Sequence, residues 1–377
     1  MLASCFRRRL DLLTPGRRLV STAANASAST STRRKRVVFS GIQPTGIPHL
    51  GNYLGALSNW KRLQDEAAPE DVLIFSVVGW HALTMPQNPA ELRQARASMM
   101  AVLLAMGLDP RRSVIFHQDH NPDHTELAWV FNCITPIGKL RRMTTWKSKL
   151  VTARNANDET EVDESLLHVG LFDYPVLQAA DILAYKATHV PVGEDQQQHL
   201  ELCRDIADSF NRTFKERSPL FPLPQHVFTP QKRILSLRDS SAKMSKSAPD
   251  PKSRILLTDT TSEISKKIAG AQTDSDPSVT YDPVSRPGLA NLLTIFAACT
   301  ETSPEDLARK YDGSSFAKLK KDAAEAVNAF LSGPRAEFAK LKDETGYLDE
   351  IARTGAEKAR DISGKTMSEV RRRVGLA

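Results

Sequence analysis

The chain has 377 residues and a formal net charge of +7, a length that predicts two or more domains with an ample core. No apolar run reaches 18 residues, so a membrane-spanning helix is not expected. The four cysteines stand alone at positions 5, 133, 203 and 299, which disfavours a structural zinc cluster and fits free thiols in a reducing compartment.

The basic excess lies in the first tenth of the chain. Residues 1–36 contain nine Lys or Arg and one acid, whereas the remainder has 42 basic residues against 43 acidic ones. Segment 1–34 is rich in Arg, Ser and Ala, and Leu2, Phe6, Leu10 and Leu13 share a helical stripe, which is typical of a mitochondrial transit peptide. The alternatives are a disordered basic arm or a chloroplast leader. Because the rest is nearly neutral, any RNA contact is expected to use local patches.

The first predicted strand, Arg36–Ser40, leads into a loop rich in glycine and proline, and a helix is expected from Asn52 to Leu63. A polar loop between the first strand and the first helix is where α/β folds hold phosphates. His49, Asn52 and the backbone at Gly51 could donate to a triphosphate. The loop matches neither the P-loop nor the dinucleotide-binding pattern.

Strands and helices then alternate, which predicts a Rossmann-like, doubly wound parallel sheet. Further strands are expected at 72–78, 113–116 and 188–192. Helices are expected at 89–106, 123–133, 138–146, from 163 through Leu183, and at 194–210. The charged segment 141–163, with Lys147, Lys149 and Arg154, is interpreted as a mobile loop, and 216–230, with four prolines, as a linker. Later helices are expected near 262–271, 286–300, 303–311, 315–332 and 334–376, so the C-terminal part is all-helical.

One predicted helix carries three polar residues among apolar ones. Tyr174, Gln178 and Asp181 lie at i, i+4 and i+7, so they share a face and indicate a small dry pocket. A short strand, Gly193 and a helix start then follow, an arrangement suited to a nucleotide. The plainer alternatives are a core carboxylate satisfied by its neighbours and an ordinary helix cap.

A second charged motif, Lys243-Met-Ser-Lys-Ser, follows the apolar segment Ile234–Leu237. Lysines in such a loop can close over a triphosphate and neutralise charge as a phosphate leaves. A solvated basic loop is the alternative.

Together these motifs resemble the class I aminoacyl-tRNA synthetases, and more narrowly the tryptophanyl-tRNA synthetases of mitochondrial type. Pro48-His-Leu-Gly-Asn is similar to the first signature of that class, and Lys243–Ser247 matches the second in full. Gly41-Ile-Gln-Pro-Thr-Gly and Gly193-Glu-Asp-Gln look tryptophanyl. The Tyr174, Gln178, Asp181 spacing is shared with tyrosyl-tRNA synthetases and does not separate the two.

The resemblance implies roles for individual residues. Asp181 would accept a hydrogen bond from the indole N–H, and Tyr174 and Gln196 would hold the ammonium group. The complete set implied for tryptophan is Phe39, Tyr174, Gln178, Asp181, Val190, Val192 and Gln196. The set implied for ATP is Gln43, His49, Leu50, Gly51, Asn52, Gly193, Glu194, Asp195, Ile234, Lys243, Met244, Ser245, Lys246 and Ser247. The residues implied in catalysis are His49, Asn52, Lys243 and Lys246.

The resemblance also implies a catalytic domain at 35–254, a helical anticodon-binding domain at 255–345 and a C-terminal helix at 346–377 that returns to the catalytic domain. The implied partners are L-tryptophan, ATP with Mg²⁺ that no protein side chain holds, tRNA(Trp) and a second copy of the chain, in the mitochondrial matrix. Gly79, Trp80 and Ala248 depart from the family pattern. A noncatalytic RNA-binding relative and another adenylyl-transferring enzyme are the alternatives.

Overall fold

The computed structural model describes residues 35–144, 146–147, 167–193, 196–228, 233–246 and 248–377. In these residues five parallel strands form one sheet in the order β3-β2-β1-β4-β5. The strands are β1 (Val37–Ile42), β2 (Val72–Val77), β3 (Val114–His117), β4 (His189–Val192) and β5 (Gln225–Phe228). Chain order reverses between β1 and β4, so their carboxyl ends flank the crevice where doubly wound folds bind ligands.

Helices surround this sheet and make up the C-terminal part of the protein. Those within the sheet-forming half are α1 (Leu50–Asn52), α2 (Ser58–Asp65), α3 (Gly79–Ala82), α4 (Pro89–Ala105), α5 (Asp123–Asn132), α6 (Ile137–Arg141), α7 (Val169–Leu183) and α8 (Gln197–Thr213). The later ones are α9 (Thr261–Ala269), α10 (Pro287–Thr300), α11 (Pro304–Tyr311), α12 (Phe316–Leu341) and α13 (Thr345–Val374). No helix in the described residues is both long and apolar enough to cross a membrane.

The two faces of the sheet bury separate apolar clusters, because successive side chains of a strand point to opposite faces. Val38 packs in the cluster that contains Leu103 of α4, whereas its neighbour Phe39 packs in the cluster that contains Leu183 of α7. Full burial of such side chains contributes about 1.5–3 kcal/mol each. The predicted parallel α/β fold with a helical C-terminal part is therefore confirmed.

Three local predictions were wrong. The proline-rich linker contains β5, which pairs parallel to β4; a four-residue edge strand between prolines is too short to show a periodic pattern. Pro334 does not end a helix, because α12 continues through it to Leu341. The helix expected to reach Trp146 ends at Arg141, and the Trp146 indole donates to the Leu140 carbonyl (3.2 Å).

The helix expected to begin at Asn52 starts two residues earlier. His49 is its N-cap, its ring accepts from the Asn52 backbone N–H, and the Asn52 side chain accepts from the His49 N–H. A π-helical segment, Tyr53–Leu57, then separates α1 from α2. Such segments often occur at functional sites. This one comes shortly after the loop that the sequence predicts to bind phosphate.

The C-terminal helix α13 packs tightly against β3. A Cβ added at Gly355 would overlap the carbonyl of Ile115, so the two backbones meet where only glycine fits. We expect Gly355→Ala to lower the free energy of unfolding by about 1–3 kcal/mol. Urea denaturation would measure this, with Gly364→Ala as the matched control.

Gly364 lies on the same helix, and a Cβ there meets no heavy atom within 4 Å. Alanine at that position is expected to stabilise the protein by about 0.5–1 kcal/mol, because glycine costs helix interiors that much. Similar effects of the two substitutions would contradict the close approach of α13 to β3.

Candidate active site

A cavity of about 320 Å³ opens beside the carboxyl ends of β1 and β4. Its walls come from both strands and from the polar face of α7, with His81 and Val78 from the end of β2. All seven residues that the resemblance implies for tryptophan line it, namely Phe39, Tyr174, Gln178, Asp181, Val190, Val192 and Gln196. An apolar chamber with a few placed polar groups suits a small organic ligand that carries a ring.

The Asp181 carboxylate in this cavity makes three hydrogen bonds with other side chains. Oδ1 accepts from Gln118 Nε2 (2.7 Å) and bonds His124 Nδ1 (2.7 Å), while Oδ2 bonds His81 Nε2 (2.9 Å). Burial alone would raise the pKa of Asp181, but the bonds to His124 and His81 outweigh it and lower the pKa to about 2. Two carboxylate oxygens offer about four acceptor sites, so Oδ2 retains one for a ligand N–H.

Asp181 thus has polar partners from outside its own helix, in addition to the apolar residues beside it on α7. His81 lies in α3 after β2, Gln118 follows β3 directly and His124 lies at the start of α5, so all three belong to segments that follow the carboxyl ends of strands. Polar residues directly after buried strands were the available signal. No site role was predicted for His81, Gln118 or His124 from the sequence.

Of the two departures at 79 and 80, only Gly79 has a structural explanation, because Trp80 contributes its backbone and not its side chain. Trp80 is partly exposed, and its backbone N–H donates to Gln118 Oε1 (3.0 Å), which orients the Gln118 amide toward Asp181. A side chain at Gly79 would overlap the Asp119 carboxylate, which pairs with Arg96. His81 therefore lines this side of the cavity, Gln118 holds the Asp181 carboxylate, and Asp119 fills the space beside Gly79.

The opposite wall is also polar. The Tyr174 hydroxyl bonds His199 Nε2 (2.9 Å), and the Gln178 amide donates to Gln196 Oε1 (3.4 Å). Tyr174, Gln178 and Gln196 line the same cavity, so their hydroxyl and amide oxygens form a set that can accept from an ammonium group.

The two signature motifs, about 190 residues apart, lie side by side. Residues 49 and 256 form an isolated antiparallel bridge, and Leu50 N–H donates to the Ile255 carbonyl (2.8 Å). A Cβ at Gly51 would contact both the His49 ring and Ile234. Met244, buried, donates from its N–H to the Ile234 carbonyl (3.1 Å). The residues of both motifs that the resemblance implies for ATP thus lie together on one face of the sheet.

Electrostatics mark this junction as cationic. Burial, together with the smaller effect of the charges of Lys246, Lys243 and Arg254, lowers the pKa of His49 to about 4, so the ring is neutral at pH 7. Lys246 Nζ donates to the carbonyls of Thr45 (3.0 Å) and Gly46 (2.9 Å), and burial lowers its pKa to about 8. Positive charge gathered around a neutral donor is suited to a polyphosphate.

A smaller cavity of about 190 Å³ completes the crevice. It is lined by Gly41 and Ile42 of β1, Val192 at the end of β4, Gly193 after it, and Gly55 of the π-helical segment. Gln196 lines both this cavity and the larger one, so a ligand here would adjoin one bound at Asp181.

Several predicted residues lie outside the described part of the chain. These are Glu194, Asp195, Ser247, Lys149, Arg154 and the leader 1–34. Ala248 is described, and its carbonyl accepts from Arg254 Nη1 (2.8 Å), which ties down the end of the lysine loop.

Known proteins are similar to this chain in sequence and in fold, over most of its length and of theirs. The family model of tRNA synthetases class I (W and Y) matches residues 31–332. The mitochondrial tryptophan–tRNA ligase of Schizosaccharomyces pombe is 44% identical over 346 residues, which cover 90% of this chain and 95% of that protein.

Two solved structures share both fold and sequence with the chain. Tryptophanyl-tRNA synthetase from Mycoplasma pneumoniae superposes with a TM-score of 0.79 at 30% identity, covering 91% of this chain and 99% of that one. The enzyme from Campylobacter jejuni, solved with ADP and tryptophan, gives 0.72 at 30% identity over 90% and 100%. The chain therefore belongs to the class I aminoacyl-tRNA synthetases of the tryptophanyl and tyrosyl family, on its tryptophanyl branch.

Proposed function

We propose that this enzyme activates L-tryptophan with ATP and transfers it to tRNA(Trp). The observation that carries the proposal is the Asp181 carboxylate, which is buried at a cavity with both apolar and polar walls and is left with one acceptor site. Indole has a single polar atom, its N–H, and that donor complements the open site. The lysine loop and the His49 turn lie at the adjoining crevice, where ATP would bind.

In the first step an oxygen of the tryptophan carboxylate attacks the α-phosphorus of ATP. A carboxylate–phosphorus bond forms, the bond to the bridging oxygen breaks, and pyrophosphate leaves with the released electron pair. No protein nucleophile is needed, so the rate rests on positioning and on stabilising developing charge. Lys246 and Lys243 would meet the leaving phosphates, with neutral His49 and Asn52 as hydrogen-bond donors.

Mg²⁺ would enter with the nucleotide. This ion prefers phosphate oxygens and water to cages of protein ligands and would neutralise triphosphate charge. In the described residues no three His, Cys, Asp or Glu side chains are grouped to hold a metal. The chain's own contribution there is the cationic pair Lys243 and Lys246.

In the second step the 2′-hydroxyl of the tRNA terminal adenosine attacks the tryptophanyl carbonyl, forming the ester and releasing AMP. We assign catalysis to residues 35–254 and anticodon recognition to the helical region 255–345. The segment 346–377 forms most of α13, whose contact with β3 supports its assignment as a helix that returns to the catalytic part.

Pyrophosphate exchange with each of the twenty amino acids tests the proposal most directly. Tryptophan alone should support rapid incorporation of labelled pyrophosphate into ATP, and the protein should then charge tRNA(Trp). Exchange driven by tyrosine instead would assign the enzyme to the other branch, and no exchange with any amino acid would favour a noncatalytic role.

We also propose that the enzyme works in the mitochondrial matrix, with segment 1–34 as its import signal. Fused to a fluorescent protein, this segment should direct it to mitochondria. A chain beginning at Arg33 is expected to keep full aminoacylation activity, because both signature motifs and the cationic site lie beyond it. A folded truncated protein with greatly reduced activity would contradict this prediction.

A homodimer is the assembly we propose, formed through an apolar patch on α5, α6 and α7. Trp129, Ile137 and Val169 are 71%, 62% and 78% exposed, and a hydrogen bond from Asn132 to Asp173 (2.7 Å) joins the first and last of these helices. Exposed apolar clusters that contain aromatic residues are typical of protein interfaces.

Trp129→Asp is expected to convert a dimer to a monomer, because a carboxylate at the interface would have to be desolvated. Light scattering after size-exclusion chromatography would measure the mass. Val284→Asp is the control, since Val284 is 90% exposed but lies after α9, away from the patch. A Trp129→Asp protein with the unchanged mass of a dimer would place the interface elsewhere.

A further inference from the structure

A continuous buried hydrogen-bond chain runs from the substrate cavity to the C-terminal helix. Its successive contacts are 2.7 Å (carboxylate to imidazole Nδ1), 2.7 Å (imidazole Nε2 to phenol), 3.1 Å (phenol to amide), 2.9 Å (amide to serine Oγ) and 2.6 Å (serine Oγ to carboxylate). Its members are, in order, Asp181, His124, Tyr185, Asn121, Ser363 and Asp123, and all are buried.

We propose that Ser363 of α13 is a positioning residue for tryptophan recognition, acting on Asp181 through this chain. The proposal rests on the proposed function, because it assigns Asp181 to the indole N–H. Ser363 itself lies beyond His124, Tyr185 and Asn121 and takes no part in the chemistry. Its role is to hold the far end of the chain that orients the carboxylate.

The donors and acceptors of the chain fit in only one direction. Asn121 Oδ1 accepts from the Asp123 backbone N–H (3.2 Å), which fixes the orientation of the amide. Both Nδ2 hydrogens are then donated, one to the Tyr185 oxygen and one to Ser363 Oγ. With its own hydrogen, the Tyr185 hydroxyl donates to His124 Nε2, and His124 Nδ1–H donates to Asp181.

Tyr185 is suited to this relay. Burial raises the pKa of its hydroxyl well above the usual value, so the group keeps its proton at neutral pH. Its ring stacks on Phe39, a wall of the substrate cavity, with centroids 5.5 Å apart. The ring position is thus set by packing, and the hydroxyl contributes only the two hydrogen bonds.

Ser363 closes the chain at a rigid point. Its hydroxyl donates to Asp123 Oδ2 and accepts from Asn121, from positions 240 and 242 residues away in sequence. Two bonds between Arg371 and Glu126 (2.7 and 2.6 Å) hold α13 on α5 about two turns further along α13. Without the serine hydroxyl, Asn121 has an unpaired N–H and Asp123 an unpaired oxygen, and both can reorient.

Ser363→Ala should therefore raise the KM for tryptophan in pyrophosphate exchange while the KM for ATP stays unchanged. Residues coupled through such networks commonly change affinity by roughly 2- to 30-fold. Tyr185→Phe keeps the ring stacking and cuts the chain nearer to Asp181, so its effect should be at least as large. Ser368→Ala is the matched control, an exposed serine on the same helix whose hydroxyl bonds only the Gly364 carbonyl (3.0 Å).

The double variant Tyr185→Phe/Ser363→Ala tests whether Ser363 acts through Tyr185 or whether the two substitutions disturb the structure independently. If Ser363 acts through Tyr185, the double variant has the tryptophan KM of Tyr185→Phe alone; independent structural effects would multiply. Multiplied effects, equal changes in the two KM values, or an unchanged tryptophan KM in either folded single variant would overturn the proposal. If the wild type activates a different amino acid, the proposed function fails. The same set of single and double variants, measured with that amino acid, still tests the hydrogen-bond chain.

Discussion

Replacing Asp181 with asparagine is expected to lower kcat/KM for tryptophan by roughly 10²- to 10³-fold while the KM for ATP changes little. Asparagine keeps the size of the side chain but replaces one acceptor oxygen with a donor. A hydrogen bond to a buried charge is lost, and an N–H then faces a donor from His81 or His124. The substitution does not touch the crevice proposed for ATP, which is formed by His49 and the lysine loop.

The measurement is pyrophosphate exchange with tryptophan, tyrosine and phenylalanine as substrates, together with thermal unfolding. In the wild type a buried acceptor should reject phenylalanine, which lacks a ring donor, by about 10⁴- to 10⁵-fold. Asp181→Asn should lower the ratio of kcat/KM for tryptophan to kcat/KM for phenylalanine. Asp208→Asn is the control, because it alters only a surface ion pair with Arg212 on α8. Full tryptophan selectivity in folded Asp181→Asn would show that this carboxylate is merely structural.

The ionisation of Asp181 also affects how the stability of the protein depends on pH. The folded pKa of Asp181, about 2, lies below its ordinary value of 3.8, so the unfolded chain binds the proton more readily. The stability that this carboxylate contributes is complete above about pH 4 and is lost as the pH falls toward 2. Tryptophan recognition should therefore not titrate through Asp181 anywhere near neutral pH.

The sequence predicted the helix face of this site but not its neighbours. A spacing of four and seven residues was enough to bring Tyr174, Gln178 and Asp181 to one cavity, because helix geometry is local. His81 and His124 lie 100 and 57 residues from Asp181 in sequence. They meet it only because β2 and β3 end at the same edge of the sheet, which depends on strand order.

Local rules also failed where tertiary packing overrides them. Pro334 lies inside α12, although proline usually interrupts a helix. The edge strand β5 forms among prolines because its neighbour β4 offers a free backbone edge to pair with. In both places the decisive contacts come from distant residues.

Lys246→Ala is expected to slow adenylate formation by about 10²- to 10³-fold while the affinity for tryptophan stays nearly constant. A charge that meets the developing negative charge of the leaving phosphates acts mainly in the transition state, and removing one such contact typically costs that much. In the structure Lys246 Nζ bonds the carbonyls of Thr45 and Gly46, next to the loop that carries His49. Single-turnover formation of tryptophanyl-adenylate would measure the rate, with the exposed Lys266→Ala on α9 as control.

The pH dependence provides an independent check on Lys246. Burial lowers the pKa of Lys246 from 10.5 to about 8, so in the free enzyme the charged form is lost as the pH rises through about 8. The charged form binds phosphate, and kcat/KM for ATP should therefore fall above that pH. His49, with a pKa of about 4, does not titrate in this range. Lys246→Arg keeps its charge, because guanidinium stays protonated, and its activity should lack this fall; an identical alkaline fall in Lys246→Arg would assign the titration to another group.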